Sequence, residues 1–453
     1  MSKYTFIVSV KFTAISLYPY KSPMRKVSHF TLILLTLFSL CKPLIAQDGY
    51  TDSPVMKYED RTYRSYIKTV QLHQVGWKFS PPSIEMNAGQ QLQLDFDDLQ
   101  GDFKSYYYTF IHCDADWTPS DINNFDYLKG YEQDFLTNYA TSFGTTQGYT
   151  HYTLVFPNNN IQLLLSGNYL LKVYLNNNPD SVILTRRFML YRDKLIIHPR
   201  ETPGIGDEMF TKQEIVFSIN TTRYNIMDPF HALRIFIQQN GRWDNIISDV
   251  QPQFVQDTSL QYYSDFGNMF DGGNQFRNFD MTTLHLISDQ IQRFVPGKEE
   301  EIDLKPDKPR GSLPYITLPD IDGQFYILDK DADSTPINGE YVRVHFFMPY
   351  DSAITTGNVY IFGGLSDWQC KKEFRMHYVD SLNGYAATLY LKQGFYDYQY
   401  AYLKDKSTVA DVTPFEGNHS ETENTYTIYA YYRPPGLYYD ELIGIKTFHA
   451  PSN

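Results

Sequence analysis

Residues 167–190 read GNYLLKVYLNNNPDSVILTRRFML, and this stretch decides the fold. Tyr169, Leu171, Val173 and Leu175 recur at every second position, the period of a strand with one buried face. Asn176-Asn177-Asn178-Pro179-Asp180 then supplies a turn, since Asn and Asp bond to their own backbone and Pro presets φ. Residues 182–190 return as a second strand. The pair is a hairpin that closes a first sandwich near Tyr191.

The same texture extends in both directions. Before the hairpin, 67–79 (IKTVQLHQVGWKF), 91–96 (QLQLDF) and 106–111 (YYYTFI) alternate in the same way. After it, 195–199 (LIIHP), 214–220 (EIVFSIN), 232–245 (ALRIFIQQNGRWDN) and 281–287 (MTTLHLI) form a second set of strands. Asn240-Gly241 marks a hairpin there, because both central positions of a type I′ turn need positive φ. A third set comprises 341–349, 358–365, 385–391, 395–403 and 424–432. Residues 262–280 read as a loop with one short strand, and 296–314 as a strand end followed by an exposed linker. Helical periodicity is sustained nowhere, and 120–137 holds at most a short helix.

The expected fold is therefore all-β: three consecutive immunoglobulin-like or early-set β-sandwich domains after a signal peptide. The expected boundaries are an upstream extension and signal peptide at 1–46, an N-terminal linker at 47–65, and β-sandwich domain 1 at 66–194. Domain 2 follows at 195–300, a linker at 301–314, early-set-like domain 3 at 315–433, and a tail at 434–453.

Residues 24–46 carry Arg25 and Lys26, then an apolar run from Phe30 to Leu40, then Ala46 before Gln47. That layout is a cleavable secretory signal, and the run is too short to span a bilayer. Cys41 raises a lipoprotein alternative, but Leu40 stands where a lipobox has a small residue. Residues 1–46 hold six basic residues and no acidic one, so removing them takes the net charge from −13 to −19. A body this acidic is a poor partner for nucleic acid or an anionic membrane surface. Only Cys113 and Cys370 remain, which predicts two separate buried thiols and no disulfide framework.

His112-Cys113-Asp114-Ala115-Asp116-Trp117 is the most tempting local cluster. Adjacent strand residues face opposite ways, so Cys113 and His112 cannot pair as nucleophile and base. His112, Asp114 and Asp116 share a strand face, but no further His or Cys lies at zinc spacing, which favours a structural role. Asp116 and Trp117, followed by Pro119 and Ser120, read as a capped turn leaving the strand. Asp95, Asp97 and Asp98, like Asp329, Asp331 and Asp333, lack the glycine and terminal Glu of an EF-hand loop. No catalytic, cofactor-binding or metal-binding residue is assigned.

Residues 358–400 resemble early-set domains related to glycogen-binding modules, through Gly364, Leu365, Asp367, Trp368, Met376, Gly394, Tyr396 and Tyr398. In that family the counterpart of Trp368 is chiefly a core residue. Trp77, Trp117 and Trp243 lie outside the domain, so sugar-stacking tryptophans have no evident counterparts. The resemblance speaks to fold rather than function.

A wider resemblance spans nearly the whole chain. In order come VQLHQVGWKFSPP at 70–82, FIHCDADW at 110–117, LKGY at 128–131, HYTLVFPN at 151–158 and LSGNYLLKVY at 165–174. Then follow EGNHSETENTY at 416–426 and YYRPPGLYYDELIG at 431–444. These motifs resemble the plug protein family of the Bacteroidota type IX secretion system. The resemblance implies a periplasmic, non-catalytic protein at the inner face of the outer membrane, occluding the mouth of a giant barrel translocon. The alternative reading is an envelope carbohydrate-binding protein; a third is a hydrolase hidden in loops such as 262–280. Beyond the Pro434-Pro435-Gly436 break, Tyr439, Leu442 and Ile443 either pack on an internal sheet edge or bind the partner.

Overall fold

The computed structural model describes residues 55–263, 267–332 and 335–451. The expected extension and signal peptide, with Cys41, lie outside the described residues. The fold is all-β, and among the described residues helix occurs only as short turns. Three large apolar cores form, and we call the structure around each a lobe.

The first lobe packs a six-stranded sheet on a four-stranded one. The hairpin Gly167–Leu175 and Val182–Tyr191 pairs antiparallel, and Tyr106–Cys113 lies on its other side. The facing sheet runs Ile67–Gln74, Leu92–Asp98, Thr150–Phe156 and Asn138–Thr141. Alternation delivers Phe96, Tyr106, Phe110, Tyr152, Phe156 and Phe188 to one aromatic core. Phe96 stacks on Tyr152 at 5.2 Å, and Phe110 meets Phe156 at 5.0 Å. Arg61–Thr62 adds an edge strand beside Val182–Tyr191. Thus 55–65 is packed structure and not the free linker expected.

The second lobe departs from the expected partition. One sheet holds Ile196–Pro203, Lys212–Asn220, Ser259–Tyr262 and Phe254–Gln256. The other holds Leu233–Gln239 flanked by Asn424–Tyr432, which pairs in turn with Glu441–Ala450. Asn424–Tyr432 therefore completes the second lobe and not the third. Its Ile428 and Ala430 pack with Ile235 and Ile237, and that burial outweighs sequence proximity. The expected tail is largely the strand Glu441–Ala450. Asn240 and Gly241 do sit at positive φ, 49° and 73°, but the returning arm makes only one bridge, Ile237 to Ile247.

The third lobe is built on a nine-stranded sheet from Gly394–Lys404 through Tyr341–Pro349 to Ile291–Val295. It recruits Arg277–Asp280, Ile291–Val295 and Glu301–Leu304, all placed outside domain 3 by the sequence reading. Residues 281–287 form no strand. The third lobe is thus inserted into the second.

Candidate functional site: a cleft where three lobes meet

The outer face of the sheet Leu233–Gln239, Asn424–Tyr432 and Glu441–Ala450 is divided in two. Register pairs Phe236 with Tyr429 and Tyr431 with Leu442 at one end. These side chains, with Ile445, join Cys113, Ala115, Trp117, Leu170 and Met189 in an apolar joint to the first lobe. At the other end the same register pairs Gln238 with Thr427, Thr427 with Thr447, and Thr425 with His449. This polar half is the floor of a cavity of about 640 Å³.

The first and third lobes supply the walls. From the first come the turn around Trp77 and the cations Arg186 and Arg187; from the third come Asp322, Gln324, Phe325 and Trp368. Three tryptophans thereby converge, one per lobe: Trp77, Trp243 and Trp368. Trp77 is 56% exposed at the rim, while Trp243 and Trp368 are half-buried. Trp368 touches Phe276 and Phe362 edge-on at 5.8 and 5.5 Å. It packs against the buried cluster of Tyr360, Phe362, Cys370 and Leu403, as the early-set resemblance implied, and also lines the cavity wall. Met376, Tyr396 and Tyr398 of that frame are buried, and Tyr398 donates to Asp307 at 2.6 Å.

Charge is held tightly around this cleft. The Arg187 guanidinium lies over Trp117 and Trp243, 4.5 and 5.1 Å from the ring centroids, and donates to the Tyr58 carbonyl. Burial raises the Asp60 carboxyl above the usual range, with Arg186 and Arg187 opposing the shift. Arg186 reaches Asp367 at 3.3 Å.

A second polar cluster joins the first lobe to the third. Asp97 accepts from Lys392 Nζ at 2.7 Å and from the Tyr341 hydroxyl at 2.8 Å, and its other oxygen faces His151 Nδ1 at 2.7 Å. Lys392 and Asp97 are 1% and 0% exposed, so this is a buried ion pair. His151 also lies 3.4 Å from Asp95. Burial alone would lower the His151 pKa, but its bonds to Asp95 and Asp97 outweigh that and push it up to about 9. Glu416 ties the third lobe together in the same manner, accepting from Arg277 and Arg310 while wholly buried.

The sequence-predicted residues fall into place as structure. The strand ends at Cys113, and Asp114–Trp117 is a turn closed by the Trp117 amide donating to the Asp114 carbonyl at 2.9 Å. The expected shared strand face of His112, Asp114 and Asp116 is therefore absent. His112 contacts Ser120 and the Ser166 carbonyl, Asp114 accepts from Ser120, and Asp116 accepts from Thr118. Burial lowers His112 to about 4 and raises Cys113 to about 12, so neither is charged at neutral pH. Cys113 and Cys370 are both free and buried. Among the described residues no group of three or more His, Cys, Asp or Glu is arranged to hold a metal ion. No helix among them is long and apolar enough to cross a membrane.

Tyr439, Leu442 and Ile443 are corrected from partner candidates to internal packing. They are 8%, 0% and 0% exposed; Leu442 lies in the apolar joint and Ile443 in the second core. The tryptophan convergence escaped sequence reading, because nothing local relates residues 77, 243 and 368.

Residues 67–192 match the family described as "Type 9 secretion system plug protein 1st domain". No curated protein matches the chain. The crystal structure of a hypothetical protein from Parabacteroides merdae is 31% identical, with a TM-score of 0.84, covering 87% of this chain and all of that one. Collagen adhesin from S. aureus aligns over 86% of this chain and 94% of its own, at 10% identity; its TM-score of 0.12 carries no argument. The matched segment spans most of the first lobe, whose FIHCDADW turn and 165–174 strand contribute to the apolar joint. It ties the chain to type IX secretion, to the cell envelope and to other components of that system. The chain belongs to the type IX secretion system plug protein family.

Proposed function

We propose that this chain is a non-catalytic periplasmic protein that occludes the periplasmic opening of the outer-membrane barrel translocon of type IX secretion. The match of residues 67–192 to the plug first domain is the observation that carries it. Two features of the chain support it. The three lobes are joined through buried side chains, which suits a body that must block a pore without deforming. The first lobe also presents Tyr131, Phe135, Tyr139 and Phe143 to solvent, along the edge strands Gln133–Phe135 and Asn138–Thr141. Phe103 packs on Tyr139 at 4.6 Å and extends this aromatic margin. Exposed aromatics beside an open strand edge are the usual anchors of a protein interface.

The test is affinity capture from a native membrane extract, with the recovered partner identified by mass spectrometry. The tagged chain should recover a very large outer-membrane β-barrel, and Phe135→Ser with Tyr139→Ser should lose it while remaining folded. Recovery without that barrel would refute the reading.

A further inference from the structure

We propose that the cleft between the three lobes is a binding site for a short oligosaccharide. Thr425, Thr427, Thr447, His449 and Gln238 are cross-strand neighbours on one face of a sheet, so side chains rather than backbone edges point into the cavity. A ligand lying on this floor therefore meets the face of the sheet and not its backbone ladder. A ligand recognised by hydroxyls, amides and ring faces meets the right groups here.

A sugar ring has two kinds of surface. Its axial C–H faces are apolar and lie flat on aromatic rings; its equatorial rim carries hydroxyls that both donate and accept. Trp77, 56% exposed at the rim, supplies the first kind of partner; Trp243, which carries Arg187 and stacks on Tyr429, and Trp368, beneath Arg242, line the walls behind it. Planar polar side chains supply the second. Among the described residues, the Gln324 amide makes no hydrogen bond within the protein. Gln238 commits its Oε1 to the Tyr429 hydroxyl at 2.7 Å, while no protein acceptor engages its Nε2. Asp322, accepting from Thr425 at 2.6 Å, adds a carboxylate at the wall. The volume, about 640 Å³, falls within the range of small-ligand pockets, roughly 300–1,000 Å³.

This site differs from any sugar site suggested by the early-set resemblance, because Tyr396 and Tyr398 are buried in the third core and only the assembled lobes create the cleft. It is independent of translocon plugging, and capture of sugar and capture of a barrel are separate readouts.

The chain from residue 48 onward is applied to an array of immobilised short oligosaccharides. The best-captured sugar is then titrated by tryptophan fluorescence. Binding should appear, and Trp77→Ala should weaken it about tenfold. Phe254→Ala, an exposed aromatic change outside the cleft, should leave it unchanged. Gln324→Ala should weaken it several-fold with no change in melting temperature, which separates loss of contact from loss of fold. No captured sugar, or equal binding by Trp77→Ala, overturns the proposal. So does Trp77-dependent capture from a random peptide library with no sugar bound, which would make the cleft a peptide site.

Discussion

The first lobe makes two joints, and they are built from opposite materials. Against the second lobe it offers chiefly rings and aliphatic groups, where Trp117, Leu170 and Met189 close on Phe236, Tyr431 and Leu442, with ion pairs such as Asp114–Arg433 at the margin. Against the third it offers charge: Asp97 holds Lys392, Tyr341 and His151 where almost no water reaches. The apolar joint gains free energy with each area removed from water and tolerates many geometries. The ionic joint recovers little beyond its desolvation cost, yet admits one arrangement only, since any slippage strands a buried charge. One joint supplies adhesion and the other supplies register.

The sharpest way to break this contrast is to strand the charge. Asp97→Ala leaves Lys392 with the Pro336 carbonyl and the Tyr149 and Tyr341 rings but no counter-charge in contact, and should cost about 3–5 kcal/mol in urea unfolding. Asp97→Leu combined with Lys392→Met should recover most of that loss, because the pair repays its desolvation poorly. If the double change costs as much as the single one, the ionic joint contributes adhesion and the contrast fails.

Next in size is Leu442→Ala, which opens a cavity in the apolar joint and should cost about 3 kcal/mol. This loss should be the same at every pH from mildly acidic to mildly alkaline.

The ionic joint should respond to pH. His151 is raised from 6.5 to about 9 in the folded state, so its contribution is fully present below pH 6.5 and is lost as pH rises toward 9. The loss should be on the order of 1–3 kcal/mol, and His151→Gln should flatten it. Asp95 works in the opposite direction. Burial opposes its charge, but bonds with His151 and His73 hold its carboxyl well below the usual range. Its contribution is therefore lost as pH falls below the ordinary carboxylate value.

The smallest effect belongs to Arg187→Lys. A compact ammonium cannot lie flat on Trp117 and Trp243 as the guanidinium does, and about 1 kcal/mol should be lost. A larger loss would mean that the apolar joint depends on this cation.

Local pattern made much of this legible. The strands Gly167–Leu175, Tyr341–Pro349 and Asn424–Tyr432 coincide with the alternating runs, because one face of each packs on a core. Pairing was not legible. Asn424–Tyr432 reads as the last run of the third set, and alternation says which face is buried without naming the neighbour. Glu441–Ala450 was hidden by the Pro434-Pro435-Gly436 break, which ends one strand and gives no sign that another will return alongside it. The site was illegible for the same reason: Trp77, Trp243 and Trp368 meet only through pairings that local sequence does not encode.

The insertion of the third lobe into the second bears on how the protein is made. A ribosome delivers Leu233–Gln239 long before Asn424–Tyr432, and the half-built sheet between those events has an open edge. The first and third lobes hold their main sheet strands within continuous segments, so each closes as it emerges. The second waits for almost the last strand of the chain. Its unpaired Leu233–Gln239 is thus the segment most exposed to mispairing during biogenesis, and the step a holding chaperone has most reason to guard.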